Sequence, residues 1–97
     1  MRRDAVIEAL HRQRLTLVER FGVDTLRLIG STARDEATPD SDIDLIVTFD
    51  RPTGYFGLVQ LQHYLEALLA SPVDLATDGS LSPAMRSRVE PEAVRVT

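Results

Sequence analysis

Gly30-Ser31-Thr32-Ala33-Arg34, followed after a turn by Ser41-Asp42-Ile43-Asp44-Leu45-Ile46-Val47, is the stretch that decides how this chain folds. Glycine after an apolar run ends a strand, and the serine and threonine behind it open a helical turn with Ser31 as a natural N-cap. Asp42 and Asp44 stand two apart on the next predicted strand, so their side chains leave one face while Ile43, Leu45, Val47 and Phe49 occupy the other. Such alternation makes one face core and sends the acidic face to solvent.

Working outward, apolar residues recur at helical spacing from Asp4 to Phe21 (Val6, Ile7, Leu10, Leu17, Val18, Phe21), which predicts one helix ended by Gly22. Thr25 to Ile29 reads as a first strand, and a short helix is expected over Thr32 to Ala37. Thr38-Pro39-Asp40-Ser41 is turn chemistry, and Asp42 to Phe49 forms the second strand. Tyr55 to Leu69 forms a helix whose wide apolar face carries Phe56, Leu58, Val59, Leu61, Leu65, Leu68 and Leu69; Tyr55, Gln62 and Tyr64 line its margin, a surface for a partner helix. Ser71-Pro72 stops it. Val73 to Ala76 is a brief third strand, Ser82-Pro83 starts a last helix with proline at its first position, and Ala93 to Val96 is a short strand or a loose tail. This order predicts an α/β (α+β) domain, a small mixed β-sheet with helices packed on it, and residues 1–97 form a single domain.

Composition narrows the chemistry. The 97 residues include no cysteine, which excludes disulfides and thiolate zinc sites, and the two histidines, His11 and His63, match no ligand spacing. All eleven basic residues are arginine, so a lysine-bearing phosphate loop and lysyl-nucleotide chemistry are excluded. A net charge of −4 argues against direct nucleic-acid binding. No apolar run approaches a membrane span and the N-terminus lacks a signal-peptide core, so a cytoplasmic protein is expected.

Between Asp35 and Asp50 lie six carboxylates and no arginine, a cluster that must be solvated or must hold cations. Two carboxylates about 5 Å apart repel by roughly 3 kcal/mol at an effective dielectric of 20, a penalty that a divalent cation converts into binding. Asp74, the polar residue between Val73 and Leu75, would add a third carboxylate from a neighbouring strand, and oxygen ligands alone favour Mg²⁺ or Mn²⁺. Singly, an Asp-x-Asp is an ordinary solvated strand edge, Gly30-Ser31 a plain helix start, Arg34 a surface residue and Asp74 a loop cap. Together they describe a metal cage beside a phosphate cradle, with Arg34 on the helix face of Ser31 and within reach of a phosphate oxygen. An EF-hand does not fit, because Leu45 and Arg51 stand where its glycine and bidentate glutamate belong.

These motifs, in this order, resemble the signature of the polymerase-β-type nucleotidyltransferase superfamily, specifically its minimal branch, the MNT domain. The resemblance covers nearly the whole chain, including Pro72-Val73-Asp74-Leu75, and implies the polymerase-β-like fold. It implies that Asp42 and Asp44 bind two metal ions and that Asp74 binds the catalytic one and helps deprotonate the attacking hydroxyl. Gly30 and Ser31 would hold the triphosphate, while a hydroxyl attacks the α-phosphate and pyrophosphate leaves. Asp35 departs from the many relatives with glycine there, so its carboxylate either weakens nucleotide binding or points away. Similar MNT domains are paired with HEPN-domain ribonuclease toxins and act as antitoxins by transferring AMP from ATP to a toxin tyrosine, with Mg²⁺, which is the leading expectation. The alternatives are a non-catalytic module that neutralises its partner by covering it, and a catalytic subunit that modifies a small molecule.

Overall fold

A computed structural model describes residues 1–97. Helices α1 (Arg3–Arg12) and α2 (Arg14–Phe21) lead to strand β1 (Val23–Ile29), the single turn α3 (Gly30–Ala33) and strand β2 (Ile43–Phe49). Helix α4 (Tyr55–Leu69) crosses to strand β3 (Val73–Thr77), and a 3₁₀ turn (Asp78–Ser80), helix α5 (Pro83–Val89) and strand β4 (Val94–Arg95) complete the chain. The four strands form one mixed sheet in the order β3-β2-β1-β4. β2 and β3 are parallel because α4 carries the chain back over the sheet, whereas β1 pairs antiparallel with both β2 and β4.

Alternation along the strands builds the core. Leu26 and Leu28 of β1, Ile43, Leu45 and Val47 of β2, and Val73 and Leu75 of β3 all face one side. There they meet Val6 and Leu10 of α1, Leu17 of α2, and Leu61, Leu65 and Leu69 of α4. Each fully buried leucine contributes about 1.5–3 kcal/mol through apolar surface removed from water.

Several expectations change in detail. The helix expected over Asp4 to Phe21 is two helices broken at Gln13, where no glycine or proline marks a break. The bend is held by distant and local partners: the Tyr64 hydroxyl of α4 bonds Gln13 Oε1 at 3.2 Å, and the Arg14 guanidinium donates to the freed His11 carbonyl at 2.9 Å. α3 spans Gly30–Ala33 rather than Thr32 to Ala37, and the residue before its first turn is Ile29, so Ser31 is not its N-cap. Gly30 makes the turn itself with φ +74°, and Asp35, at φ +59°, leaves the helical region soon after Ala33. Asp42 lies immediately before β2 rather than in it, aligned by the Ile43 amide, which donates to the Pro72 carbonyl at 2.9 Å.

The margin of α4 also differs. Tyr64 packs on Phe21 with ring centroids 4.9 Å apart, and the Gln62 side chain donates to the Val73 carbonyl, so both are used inside the fold. Phe56, expected on the apolar face, is instead 81% exposed beside the exposed Tyr55. Both rings belong to the first turn of the helix, which starts directly after the extended Gly54. The C-terminal residues take the strand alternative, with Leu28 paired to Val94 and the Val96 amide bonded to the Leu26 carbonyl at 2.9 Å.

The second face of the sheet is not simply solvated. Ile29, Ile46 and Ala76 form an apolar floor there, Ile46 is fully buried, and Leu81 and Met85 stand over it. α5 starts as expected, with Pro83 at its first turn and the Ser82 hydroxyl capping the Met85 amide at 3.2 Å. Asp78 anchors the segment by accepting from Arg27 at 2.6 Å and Arg86 at 3.0 Å.

Candidate active site

The site grows from the ends of three strands. β1 arrives extended at Ile29, and Gly30 turns the backbone in the left-handed region that an L side chain rarely adopts. Ile29 is the register partner of Asp44, so the turn comes down beside that carboxylate. A Cβ placed on Gly30 would collide with Asp44 Oδ2. Glycine is therefore required here twice, for backbone angle and for close approach. α3 then places the Ser31 backbone in the helical turn and sends Arg34 to the surface.

Asp44 is also the register partner of Asp74 across the parallel β2–β3 pair. Side chains opposed in this way leave the same face of neighbouring strands about 4.8 Å apart. Asp42 approaches from the residue before β2. Asp44 is half-buried and Asp74 exposed at the sheet edge. Burial raises the Asp44 carboxyl above its ordinary value, and the charges of Asp74 and then Asp42 raise it further, against a smaller opposing effect of Arg34. No arginine forms an ion pair with these carboxylates: Arg34 pairs with Glu36 and Glu92, and Arg27 and Arg86 pair with Asp78.

Three carboxylates that repel one another on one face, beside a glycine turn without a side chain, fit a hard divalent cation in donor type and charge. The side chains as they stand are not gathered into a three-ligand cage. Strand register brings the backbones of Asp44 and Asp74 together, with Asp42 at the residue before β2.

Two cavities meet at Asp44. One of about 450 Å³ is polar, lined by Gly30, Arg34, Asp44, Arg88 and Glu92 along with Ile29, Met85 and Val89. Another of about 240 Å³ lies against Asp74 and is walled mainly by Ile46, Ala76, Leu81 and Met85. The expected residues Gly30, Arg34, Asp44 and Asp74 thus line adjoining cavities. Arg34, expected free to meet a phosphate, is held instead by Glu92 at 2.8 Å and Glu36 at 3.2 Å, which hold its guanidinium protonated above the ordinary arginine value. Asp35 turns its carboxylate toward the start of α1, accepting from the Arg3 amide at 3.4 Å, and so points away from the site.

Sequence reading missed Glu92, Arg88 and Met85. Glu92 comes from 62 positions beyond Gly30, after α5, and no local motif marks it. The nearest local signal, the proline-started last helix at Ser82-Pro83, says nothing of where the residues after it go.

Comparison with known proteins identifies the family and the fold. The nucleotidyltransferase domain model matches residues 10–96. The protein adenylyltransferase MntA of Thermococcus cleftensis is 41% identical over 80 residues, 82% of this chain and 81% of that protein. A proposed protein adenylyltransferase of Methanocaldococcus jannaschii is 32% identical over 90 residues, 92% of each chain. The solved structure of a proposed minimal nucleotidyltransferase superposes with a TM-score of 0.81 at 35% identity, over 97% of this chain and 95% of that one. The same fold occurs in the complex of a tri-AMPylated Shewanella oneidensis HEPN toxin with an MNT antitoxin, with a TM-score of 0.67 at 19% identity over 94% of this chain and 71% of that one. No helix here is long and apolar enough to cross a membrane. The chain belongs to the nucleotidyltransferase domain family, and within it to the minimal, MntA-like enzymes with the polymerase-β-like fold.

Proposed function

We propose that this protein is an antitoxin that transfers AMP from ATP to a tyrosine hydroxyl of a partner HEPN-type ribonuclease toxin. The observation that carries the reading is the register pairing of Asp44 with Asp74 beside the Gly30 turn. The names of its relatives, protein adenylyltransferases, support AMP as the group and protein as the acceptor. A related fold found with a tri-AMPylated HEPN toxin supports the partner class.

In this reading Gly30, Ser31 and Arg34 hold the triphosphate, while Asp42, Asp44 and Asp74 supply the metal ligands. Two Mg²⁺ ions bound there would neutralise charge on the α-phosphate and on the departing pyrophosphate. Asp74, exposed on the edge strand β3, is the carboxylate that an incoming hydroxyl reaches from outside. It accepts the hydroxyl proton as the tyrosine oxygen bonds to the α-phosphorus; the bond from that phosphorus to the β-bridging oxygen breaks, and pyrophosphate leaves.

A second reading, neutralisation by covering alone, is favoured by the bare aromatic pair Tyr55 and Phe56, which offers apolar surface for a partner protein without chemistry. Intact mass measurement separates the two. The protein and its co-purifying or genetically adjacent partner are incubated with ATP and Mg²⁺, beside an Asp42→Ala/Asp44→Ala control. One or more AMP additions on the partner, absent in the control, support catalysis. Equal inhibition at unchanged mass by both proteins would replace it with the covering role.

A further inference from the structure

Glu92 occupies the very groups assigned above to the triphosphate. Its Oε1 accepts the Gly30 amide at 3.1 Å, and its Oε2 accepts Arg34 Nη1 at 2.8 Å. A glycine amide and a guanidinium closing on two oxygens of one anion is the set of contacts a phosphate would make. Arg88 lines the same polar cavity of about 450 Å³, and its charge acts on Glu92 although the two form no ion pair. Backbone bonds from the Glu92 and Ala93 amides to the Val89 carbonyl hold the main chain of this turn at 3.1 and 2.9 Å. The carboxylate can therefore leave by side-chain rotation alone.

We propose that Glu92 keeps the place of a nucleotide phosphate, so that the triphosphate must displace its carboxylate from the Gly30 amide and Arg34, with Arg88 supplying a second cation to the bound triphosphate. The inference rests on the nucleotidyltransferase site described above. Two anions cannot share one amide and one guanidinium without mutual repulsion, so every binding event includes the loss of the Glu92 contacts. Glu92 thus sets the nucleotide affinity below what the cradle alone provides. It also keeps Arg34 ordered and the cradle closed to weaker anions when no triphosphate is bound.

The test is equilibrium titration of the whole chain with ATP in Mg²⁺, without acceptor, for wild type, Glu92→Gln, Glu92→Ala and Arg88→Ala, with folding checked by circular dichroism. Both Glu92 variants are expected to bind ATP about tenfold tighter, equivalent to about 1.4 kcal/mol. Arg88→Ala is expected to bind it several-fold more weakly. AMP, which lacks the outer phosphates, should bind all four proteins alike. Folded Glu92 variants that bind ATP no tighter than wild type would overturn the inference, and if only Glu92→Gln folds, it decides. Should AMP transfer to the partner persist in a parallel intact-mass assay while these affinities stay unchanged, the function stands and this inference alone fails. Loss of ATP binding in all four proteins would remove both.

Discussion

Asp44 and Asp74 face each other across the parallel β2–β3 pair, two carboxylates side by side with no cation of the chain between them. Because the Asp44 carboxyl is raised by burial and by its acidic neighbours, the folded state binds its proton more tightly than the unfolded state does. Its contribution to stability is therefore full at pH below the ordinary aspartate value and is lost as pH rises through the raised folded value. At neutral pH and without divalent ions, Asp44→Asn is expected to be more stable than wild type in urea unfolding, with the gap closing as pH falls through the carboxylate range. A less stable Asp44→Asn at neutral pH would show that the carboxylate has a structural partner and that repulsion is not the controlling effect.

Asp74→Asn keeps size and shape while removing the proton acceptor and one metal ligand. AMP transfer to the partner is expected to fall by roughly 10³-fold or more, as several kcal/mol of transition-state stabilisation disappear. Partner binding should be unchanged, since Asp74 makes no hydrogen bond or ion pair that holds the sheet. Intact mass and a binding titration on the same samples check both halves.

Gly30→Ala introduces a side chain where φ is +74° and where Asp44 Oδ2 already stands. Left-handed strain costs about 1–2 kcal/mol, and the collision adds to it. Unfolding should show a loss of about 2 kcal/mol or more, and transfer activity should fall with it because Asp44 must shift. Retained activity in a folded variant would mean that the close approach is not needed.

Ala70 ends α4 with φ +50°, a position that glycine takes without strain. Ala70→Gly is expected to stabilise the protein by about 0.5–1 kcal/mol, the relief of strain exceeding the entropy that glycine adds to the unfolded chain. Ala70 lines neither of the two cavities at the site, so activity should not change. Chemical denaturation of the two proteins side by side gives the answer.

Asp35 also lies in the left-handed region, at φ +59°, but aspartate tolerates it better than alanine does. Asp35→Gly should gain about 0.5 kcal/mol or less. Its carboxylate points toward α1, so ATP affinity should stay within about twofold of wild type. A markedly tighter ATP complex would show that the carboxylate reaches the cradle after all.

Much of this molecule was legible along the chain because its signals are local. Strand alternation at Asp42 to Phe49 placed Ile43, Leu45 and Val47 in the core, and Gly22 and Pro83 marked helix ends where the structure has them. Tyr55 to Leu69 came out with its observed bounds, since a long apolar period between a glycine loop and a Ser-Pro stop leaves little choice. The helix break at Gln13 was not legible, because Tyr64, 51 residues away, holds it. Ile46 looked like a residue on a solvated face and is fully buried, because α5 and its approach return over that side.

The sequence by itself determined the carboxylates at Asp42, Asp44 and Asp74, the glycine that must precede them and the order of strands that carries them. Side-chain period and turn chemistry act over a few residues, so they can be read without knowing the rest. Only the tertiary structure decided that Asp44 is paired with Asp74, that Gly30 stands against Asp44, and that Glu92 fills the cradle and takes Arg34. Each of those contacts joins residues distant in the chain, and their partners are chosen by sheet register and by the return of α5, which no local pattern encodes.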